Sequence, residues 1–317
     1  MNDALLAQLA ERLSSQRVSD LHPLVGGASS LTFAGRRHGR RVVVKVAPPG
    51  VPPTAHRDVL RQSRMIKTLS PTEVPVPQVL FEDTGDPPLF VMSFLDGISC
   101  EPLFDDADAG SEDVVAERFR NAAATLARLH GLEPGDHDLA GEPVVGPLEE
   151  VERWCRTLET VDPTLAPGWS DVADALRDKA PPSLRPAIVH GDFRLGNLLA
   201  DSDRITAVID WEIWSVGDPR VDAGWFLINC DPQTYRRPTR YGAAVPPLEE
   251  LVTIYRDAMK MEVPELDWFC ALACFKSTAT WSLIVKHNRR REVPDAGLEE
   301  MAPVVPRLLA RAGDLLD

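Results

Sequence analysis

The sequence predicts an α+β protein of two unequal parts. A small antiparallel-sheet lobe with one main helix comes first, over residues 1–95, and a larger, mostly helical lobe follows over 96–317. Three observations carry this reading. The β-branched run Arg41-Val-Val-Val-Lys-Val-Ala47 and the apolar run Leu89-Phe-Val-Met-Ser-Phe-Leu95 both read as strands in the first part. Apolar residues recur at helical spacing over long stretches of the second. The two parts meet near residues 93–97, where Asp96-Gly97 closes the second apolar run, at the place where a ligand cleft is expected.

The elements follow in order. Leu5, Leu6, Leu9 and Leu13 predict an opening amphipathic helix over residues 3–17. Gly26, Gly27, Ser29 and Ser30 mark a turn between strands. The strand over 41–47 is stopped by Pro48, Pro49, Pro52 and Pro53, which cannot donate to a sheet or a helix interior. A helix is expected over 55–69, ending before Pro71, and further strand follows through Val74-Pro-Val-Pro-Gln-Val-Leu80. Residues 101–113 are acidic and loop-like. Helices are expected over 114–131, 147–160, 171–179, 247–289 and 298–316, with a sheet-like island at 187–210.

Composition narrows the function classes. The chain has 317 residues, 44% hydrophobic and 26% charged, which is ordinary for a folded protein with a substantial core. A net charge of -14 repels nucleic acid and anionic lipid, so neither is an expected partner; it suits a cationic substrate or simply a well-solvated surface. Cys100, Cys155, Cys230, Cys270 and Cys274 lack metal or disulfide spacing and read as reduced, packed thiols. The N-terminus has no secretory pattern and no uninterrupted apolar run is long enough to span a bilayer, so the expected location is the cytoplasm.

The chemistry concentrates in Ile188-Val-His190-Gly-Asp192-Phe-Arg-Leu-Gly-Asn197-Leu-Leu and in Arg204-Ile-Thr-Ala-Val-Ile-Asp210-Trp-Glu212. A hairpin here would gather Asp192, Asn197 and Asp210, and such hard oxygen donors suit magnesium on phosphate. Lys45 gives a second indication. Alternation puts Val43, Lys45 and Ala47 on one strand face, and a lysine among apolar neighbours calls for an anion. An edge-strand lysine reaching solvent is the alternative.

The ordered set resembles the aminoglycoside-phosphotransferase-like family of the protein-kinase-like superfamily. His190-Gly-Asp192-x-x-x-x-Asn197 is similar to its catalytic loop, Ile209-Asp210-Trp-Glu212 to its metal-binding turn, and Gly217-Asp218-Pro-x-x-Asp222 to its continuation. The resemblance covers about residues 21–290. It implies a two-lobed kinase-like fold and an ATP- and Mg2+-dependent transfer of phosphate to a small-molecule hydroxyl. It implies Asp192 as the residue orienting that hydroxyl, Asn197 and Asp210 as metal ligands, His190 as a structural ring and Asp218 as support for the loop. Lys45 would meet the ATP phosphates beneath the turn of Gly26, Gly27, Ser29 and Ser30. Val43, Met92 and the hinge residues Ser93, Phe94 and Leu95 would frame the adenine. The family's helix glutamate, partner of the strand lysine, falls at Gln62, with Asp58 one turn earlier as a substitute. That departure keeps open a weakly active or purely nucleotide-binding module. The acceptor is not determined: aminoglycoside, choline-like, sugar-like, macrolide-like and hydroxyacyl acceptors all occur within the resemblance.

Overall fold

A computed structural model describes residues 3–24, 30–104 and 108–317. The turn residues Gly26, Gly27 and Ser29 lie outside the described residues. The chain packs as two compact units. The first holds residues 1–99 together with 197–201 and 205–214; the second holds 100–196, 202–204 and 215–317. The boundary expected at residue 95 thus falls at Ser99, and a later segment expected in the second lobe belongs by its packing to the first.

The first unit begins with α1 (Asp3–Ser14), followed by β1 (Val18–Pro23), β2 (Leu31–Arg37) and β3 (Arg40–Val46). Helix α2 (Val59–Leu69), β4 (Val79–Asp83) and β5 (Leu89–Ser93) complete its N-terminal part. The strands form an antiparallel five-stranded sheet in the order β1-β2-β3-β5-β4. Strand alternation sorts β3 cleanly. Val42, Val44 and Val46 face a core shared with Leu9 and Leu13 of α1, Phe33, Leu89 and Val91. That leaves Val43 and Lys45 to the opposite face, with Lys45 opposite Thr32 on one side and Phe90 on the other.

The second unit opens with α3 (Glu112–His130), capped by the Ser111 side chain accepting from Val114 N, then β6 (Val144–Val145), α4 (Pro147–Leu158), α5 (Trp169–Asp178) and β7 (Ala187–Val189). The hairpin β8 (Leu198–Asp201) and β9 (Arg204–Val208) comes next and returns to the first unit, where Ile98 and Ala200 exchange backbone hydrogen bonds and Val208 N donates to Pro75 O. Strand β10 (Ser215–Gly217) pairs with β6 and β7, and α6 (Arg220–Cys230), α7 (Pro232–Tyr235), α8 (Leu248–Met259), α9 (Leu266–Asn288), α10 (Ala296–Glu299) and α11 (Val305–Leu316) finish the chain.

The core of this unit is helical. Helices α4, α5, α6, α9 and α11 contribute Val151, Leu176, Ile228, Phe275 and Leu308 to one apolar cluster. Helix α9 is long and apolar enough to cross a membrane, yet 78% of its apolar window is buried, as in the central helix of a packed core. Gly224 lets α6 approach α9 at backbone range: a Cβ there would sit 2.5 Å from the Phe269 carbonyl carbon and oxygen. Cys270 and Cys274 share this core, as expected of packed thiols; burial pushes the Cys274 thiol up to about 12. Among the described residues no group of three or more His, Cys, Asp or Glu is placed to hold a metal.

Candidate active site

Within the first unit, Lys45 and Asp210 meet. Lys45 Nζ donates to Asp210 Oδ1 at 2.6 Å, across 165 positions of sequence. Strand β3 delivers the lysine from the sheet face away from the α1 core, and the end of β9 delivers the aspartate. Asp210 has φ +66°, a conformation uncommon for a residue with a Cβ. Asn197 is buried and is carried on the turn that leads into β8, where its carbonyl accepts from Ile209 N at 2.9 Å. One backbone bond therefore ties the residue before Asp210 to Asn197, at the open end of the β8–β9 hairpin.

Helix α2 is fastened to the segment that follows Asp210. Arg61 Nη2 donates to Trp214 O at 2.8 Å, Trp214 Nε1 donates to Arg61 O at 3.2 Å, and the guanidinium lies 3.8 Å from the indole centroid. Two hydrogen bonds and a cation–π contact join the same pair of residues. Gln62, on the next position of that helix, is buried, and its Nε2 has no hydrogen-bond partner among the described residues. Asp58 does not stand in for the family's glutamate. It caps α2, its Oδ1 accepting from Leu60 N and Arg61 N at 3.0 and 3.1 Å. The carboxylate that meets Lys45 comes from Asp210, not from the helix.

At the hinge, Met92 is buried, and two of the three expected backbone groups are committed inside the protein. Ser93 N donates to Gln78 O at 2.8 Å and Phe94 N to Arg41 O at 3.3 Å. An adenine edge would therefore be left to Leu95 and the hinge carbonyls. Val43 is half-buried on the sheet face that carries Lys45. Ser30 is buried with its hydroxyl unpartnered among the described residues.

In the second unit, the loop after β7 is held by a buried carboxylate. Asp222 Oδ2 accepts from His190 N at 2.6 Å, and Oδ1 accepts from Gly191 N at 2.8 Å. His130 Nε2 lies 3.3 Å from Oδ2 and donates to it, since a carboxylate offers no proton there; its Nδ1 then accepts from Tyr255 OH at 2.7 Å. Burial alone would raise the Asp222 pKa, but the hydrogen bond from His130 and the amide of His190 hold it below the ordinary aspartate range. Gly191 adopts φ +86°, which a glycine enters without strain. The fully buried His190 ring then folds back, its Nδ1 accepting from Asp192 N at 3.1 Å. His190 is thus a wedge that shapes the loop.

Asp218 does not touch this loop. Its carboxylate accepts from Leu184 N at 2.9 Å and forms a buried ion pair with Arg220, which donates through its backbone N and Nε at 3.0 Å each and through Nη2 at 2.8 Å. The support expected from Asp218 comes from Asp222, four positions on: Asp218 lies ahead of α6 and is taken up by Arg220 and Leu184 N, whereas Asp222, in the first turn of α6, meets the amides of 190 and 191.

Asp192 itself has neighbours that sequence reading missed. Trp225 Nε1 donates to its Oδ1 at 2.8 Å, and Arg194 Nε donates to the same oxygen at 3.3 Å. Arg194 also meets Glu101 at 3.4 Å. Burial opposes its charge, yet the carboxylates of Asp192 and Glu101 more than compensate and raise its pKa. Glu101 Oε2 accepts from Gly196 N at 2.9 Å and so braces the far end of the loop. Arg194 was visible within the motif, two positions after Asp192. Trp225 and Glu101 carry no local signal of their roles.

A model of the phosphotransferase enzyme family (APH) matches residues 20–251. Acyl-CoA dehydrogenase family member 10 of Mus musculus is 26% identical over 308 residues, which cover 91% of this chain and 28% of that one. The chain thus spans well under half the length of that relative. A Ralstonia eutropha jmp134 protein assigned as an aminoglycoside phosphotransferase superposes with a TM-score of 0.79 at 19% identity, covering 98% of each chain. A thermostable mutant of the aminoglycoside phosphotransferase APH(4)-Ia, in ternary complex with ADP and hygromycin B, superposes with a TM-score of 0.62 at 16% identity, covering 98% of this chain and 97% of that one. These likenesses establish the kinase-like α+β fold.

Proposed function

The chain belongs to the phosphotransferase enzyme family, and from that premise we propose that it moves the γ-phosphoryl group of ATP to a hydroxyl of a small molecule. The observation that carries the reading is the Lys45–Asp210 ion pair on a hairpin whose backbone is also tied to Asn197. A buried lysine among apolar strand neighbours calls for an anion such as phosphate, and an aspartate and an asparagine on one hairpin are a hard-oxygen pair of the kind magnesium accepts. Two protein donors fit an ion that keeps most of its remaining positions for phosphate oxygens and water. ADP in the APH(4)-Ia complex supports the choice of nucleotide.

In this reading Asn197 and Asp210 would hold the magnesium, which would supply neutralisation of phosphate charge. Lys45 holds the non-transferred phosphates, and its ion pair with Asp210 opens to admit them. Asp192 accepts a hydrogen bond from the acceptor hydroxyl and aligns its oxygen on the γ-phosphorus. The new O–P bond forms as the bond from phosphorus to the β–γ bridging oxygen breaks and ADP leaves. The hydroxyl proton passes to Asp192 and then to solvent. Positioning and charge neutralisation dominate such loose transition states, so a rigid loop matters more than a strongly basic carboxylate.

The test uses purified protein, Mg2+, ATP and a panel of aminoglycosides, macrolides, choline, sugars and hydroxyacyl compounds. Asp192→Ala is expected to abolish ADP production while leaving ATP affinity within a few fold. Near-normal turnover in that variant removes Asp192 from its role. A second reading is a nucleotide-binding module of weak activity, favoured by the uncharged Gln62 where the family has glutamate. It wins if ATP binds but no acceptor is phosphorylated while an active relative turns over in the same assay.

A further inference from the structure

We propose that Trp225, backed by Lys276, is a positioning residue for Asp192. The inference deepens the phosphotransfer reading and rests on it. The Asp192 side chain is 26% exposed, and Arg194 Nε reaches its Oδ1 at only 3.3 Å, so a shorter donor is needed to hold the carboxylate in one rotamer. The Trp225 indole does so, donating to Oδ1 at 2.8 Å from a ring that is itself buried on α6.

Lys276 is what makes the pair more than core filling. It is buried on α9, in a helix whose neighbouring buried positions are Ala273, Phe275 and Ala279. A buried ammonium there is costly unless something compensates it. What meets it is the Gly191 carbonyl, to which Nζ donates, and the face of Trp225, with Nζ 3.8 Å from the ring centroid; Trp154 lies farther off at 5.6 Å. The carboxylates of Asp192, Glu150 and Asp222 favour its charge and Arg153 opposes it, while burial draws its pKa below the ordinary lysine range.

The geometry is reciprocal. The lysine holds the carbonyl of the residue immediately before Asp192, and the indole holds the Asp192 carboxylate. The same indole accepts the cation on its face and donates from its edge. A cation over an aromatic face draws electron density toward itself and strengthens the ring N–H as a donor. Both the peptide and the side chain of the orienting residue are therefore fixed from one buried site. Phenylalanine would keep an aromatic face at 225 but could not donate, and no packing requirement calls for a charge at 276.

The test uses the full chain, with Mg-ATP as substrate and water as acceptor. Trp225→Phe is expected to lower kcat roughly 10- to 100-fold, the effect of losing a hydrogen bond to a charged group, with the KM for ATP and the calorimetric affinity for Mg-ADP unchanged within threefold. Lys276→Met is expected to give the same split. In 1H–15N spectra of protein labelled at tryptophan, the Trp225 indole N–H resonance should move upfield in Asp192→Ala, and that measurement does not depend on turnover or on folding of a Trp225 variant. Wild-type kcat in Trp225→Phe, with activity lost in Asp192→Ala, overturns the inference and leaves the phosphotransfer reading standing. Undiminished hydrolysis in Asp192→Ala overturns that reading instead. An indole resonance indifferent to Asp192→Ala rules out the contact on which the proposal stands.

Discussion

Replacing Asp222 should destabilise the second unit more than any other single carboxylate change in the loop region. In Asp222→Ala the buried amides of His190 and Gly191 lose acceptors at 2.6 and 2.8 Å, and His130 Nε2 loses one at 3.3 Å. An unsatisfied buried donor costs about 1–3 kcal/mol, so three together, after some relaxation, amount to about 3–5 kcal/mol. Asp222→Asn keeps the volume and one acceptor oxygen but turns an amide NH2 toward a donor, so it should recover only part of the loss. Urea unfolding at neutral pH, followed by tryptophan fluorescence, reads the difference. The pH dependence supplies a second check. The folded pKa of Asp222 is depressed, so its contribution is fully present above the ordinary aspartate value of about 3.9 and is lost as pH falls through the lower folded value. Wild-type protein should lose stability steeply below about pH 4, and Asp222→Asn should show a flatter acid limb. A variant within about 0.5 kcal/mol of wild type, or an unchanged acid limb, would refute the assignment of Asp222 as the buried anchor of the loop.

Gln62→Met should raise the thermal midpoint, by about 1 kcal/mol of added stability, because it removes a buried amide nitrogen that has no partner among the described residues; a lowered midpoint in calorimetry would show that Nε2 is satisfied in solution. Gly224→Ala should cost about 2–3 kcal/mol, since the added methyl collides with the α9 backbone at Phe269 rather than with a side chain that can swing aside; denaturant midpoints decide it. Lys45→Met should weaken Mg-ADP binding about tenfold or more, equivalent to about 1.4 kcal/mol, as measured by titration calorimetry, and equal affinity would separate Lys45 from the nucleotide.

The parts of the molecule legible in the sequence are those written in local patterns. Alternation in Val42-Val43-Val44-Lys45 sets the lysine apart from the valines that face α1, and the structure sorts them that way. Helical periodicity anticipated α3, α4 and α5 to within two residues at their ends, but ran α8 and α9 together over 247–289 and α10 and α11 together over 298–316. The spacing of His190, Asp192, Asn197 and Asp210 marked the candidate site. What stayed hidden depends on pairings across long separations. Lys45 finds Asp210 rather than a partner on α2, because the end of β9 brings a carboxylate to the sheet from 165 positions away. Asp218 and Asp222 look equally suited to bracing the loop in sequence; only the structure shows the first taken up by Arg220 and Leu184 N and the second facing the loop. Lys276 did leave a trace, a charge in the middle of an apolar helix, but its meaning depends on Trp225 lying beneath it.

Residues 197–201 and 205–214 belong to the unit that starts at the N-terminus. During synthesis the sheet of that unit therefore clears the ribosome while its last segments are still about a hundred positions from being made, an interval on the order of 5–20 s at ordinary elongation rates. For that time Lys45 exists without Asp210. A gene fragment ending at Ser99 would encode the sheet and the lysine but neither Asn197 nor Asp210, so the first unit cannot be expressed by cutting at the apparent boundary. It has to be built from both ends of an interruption.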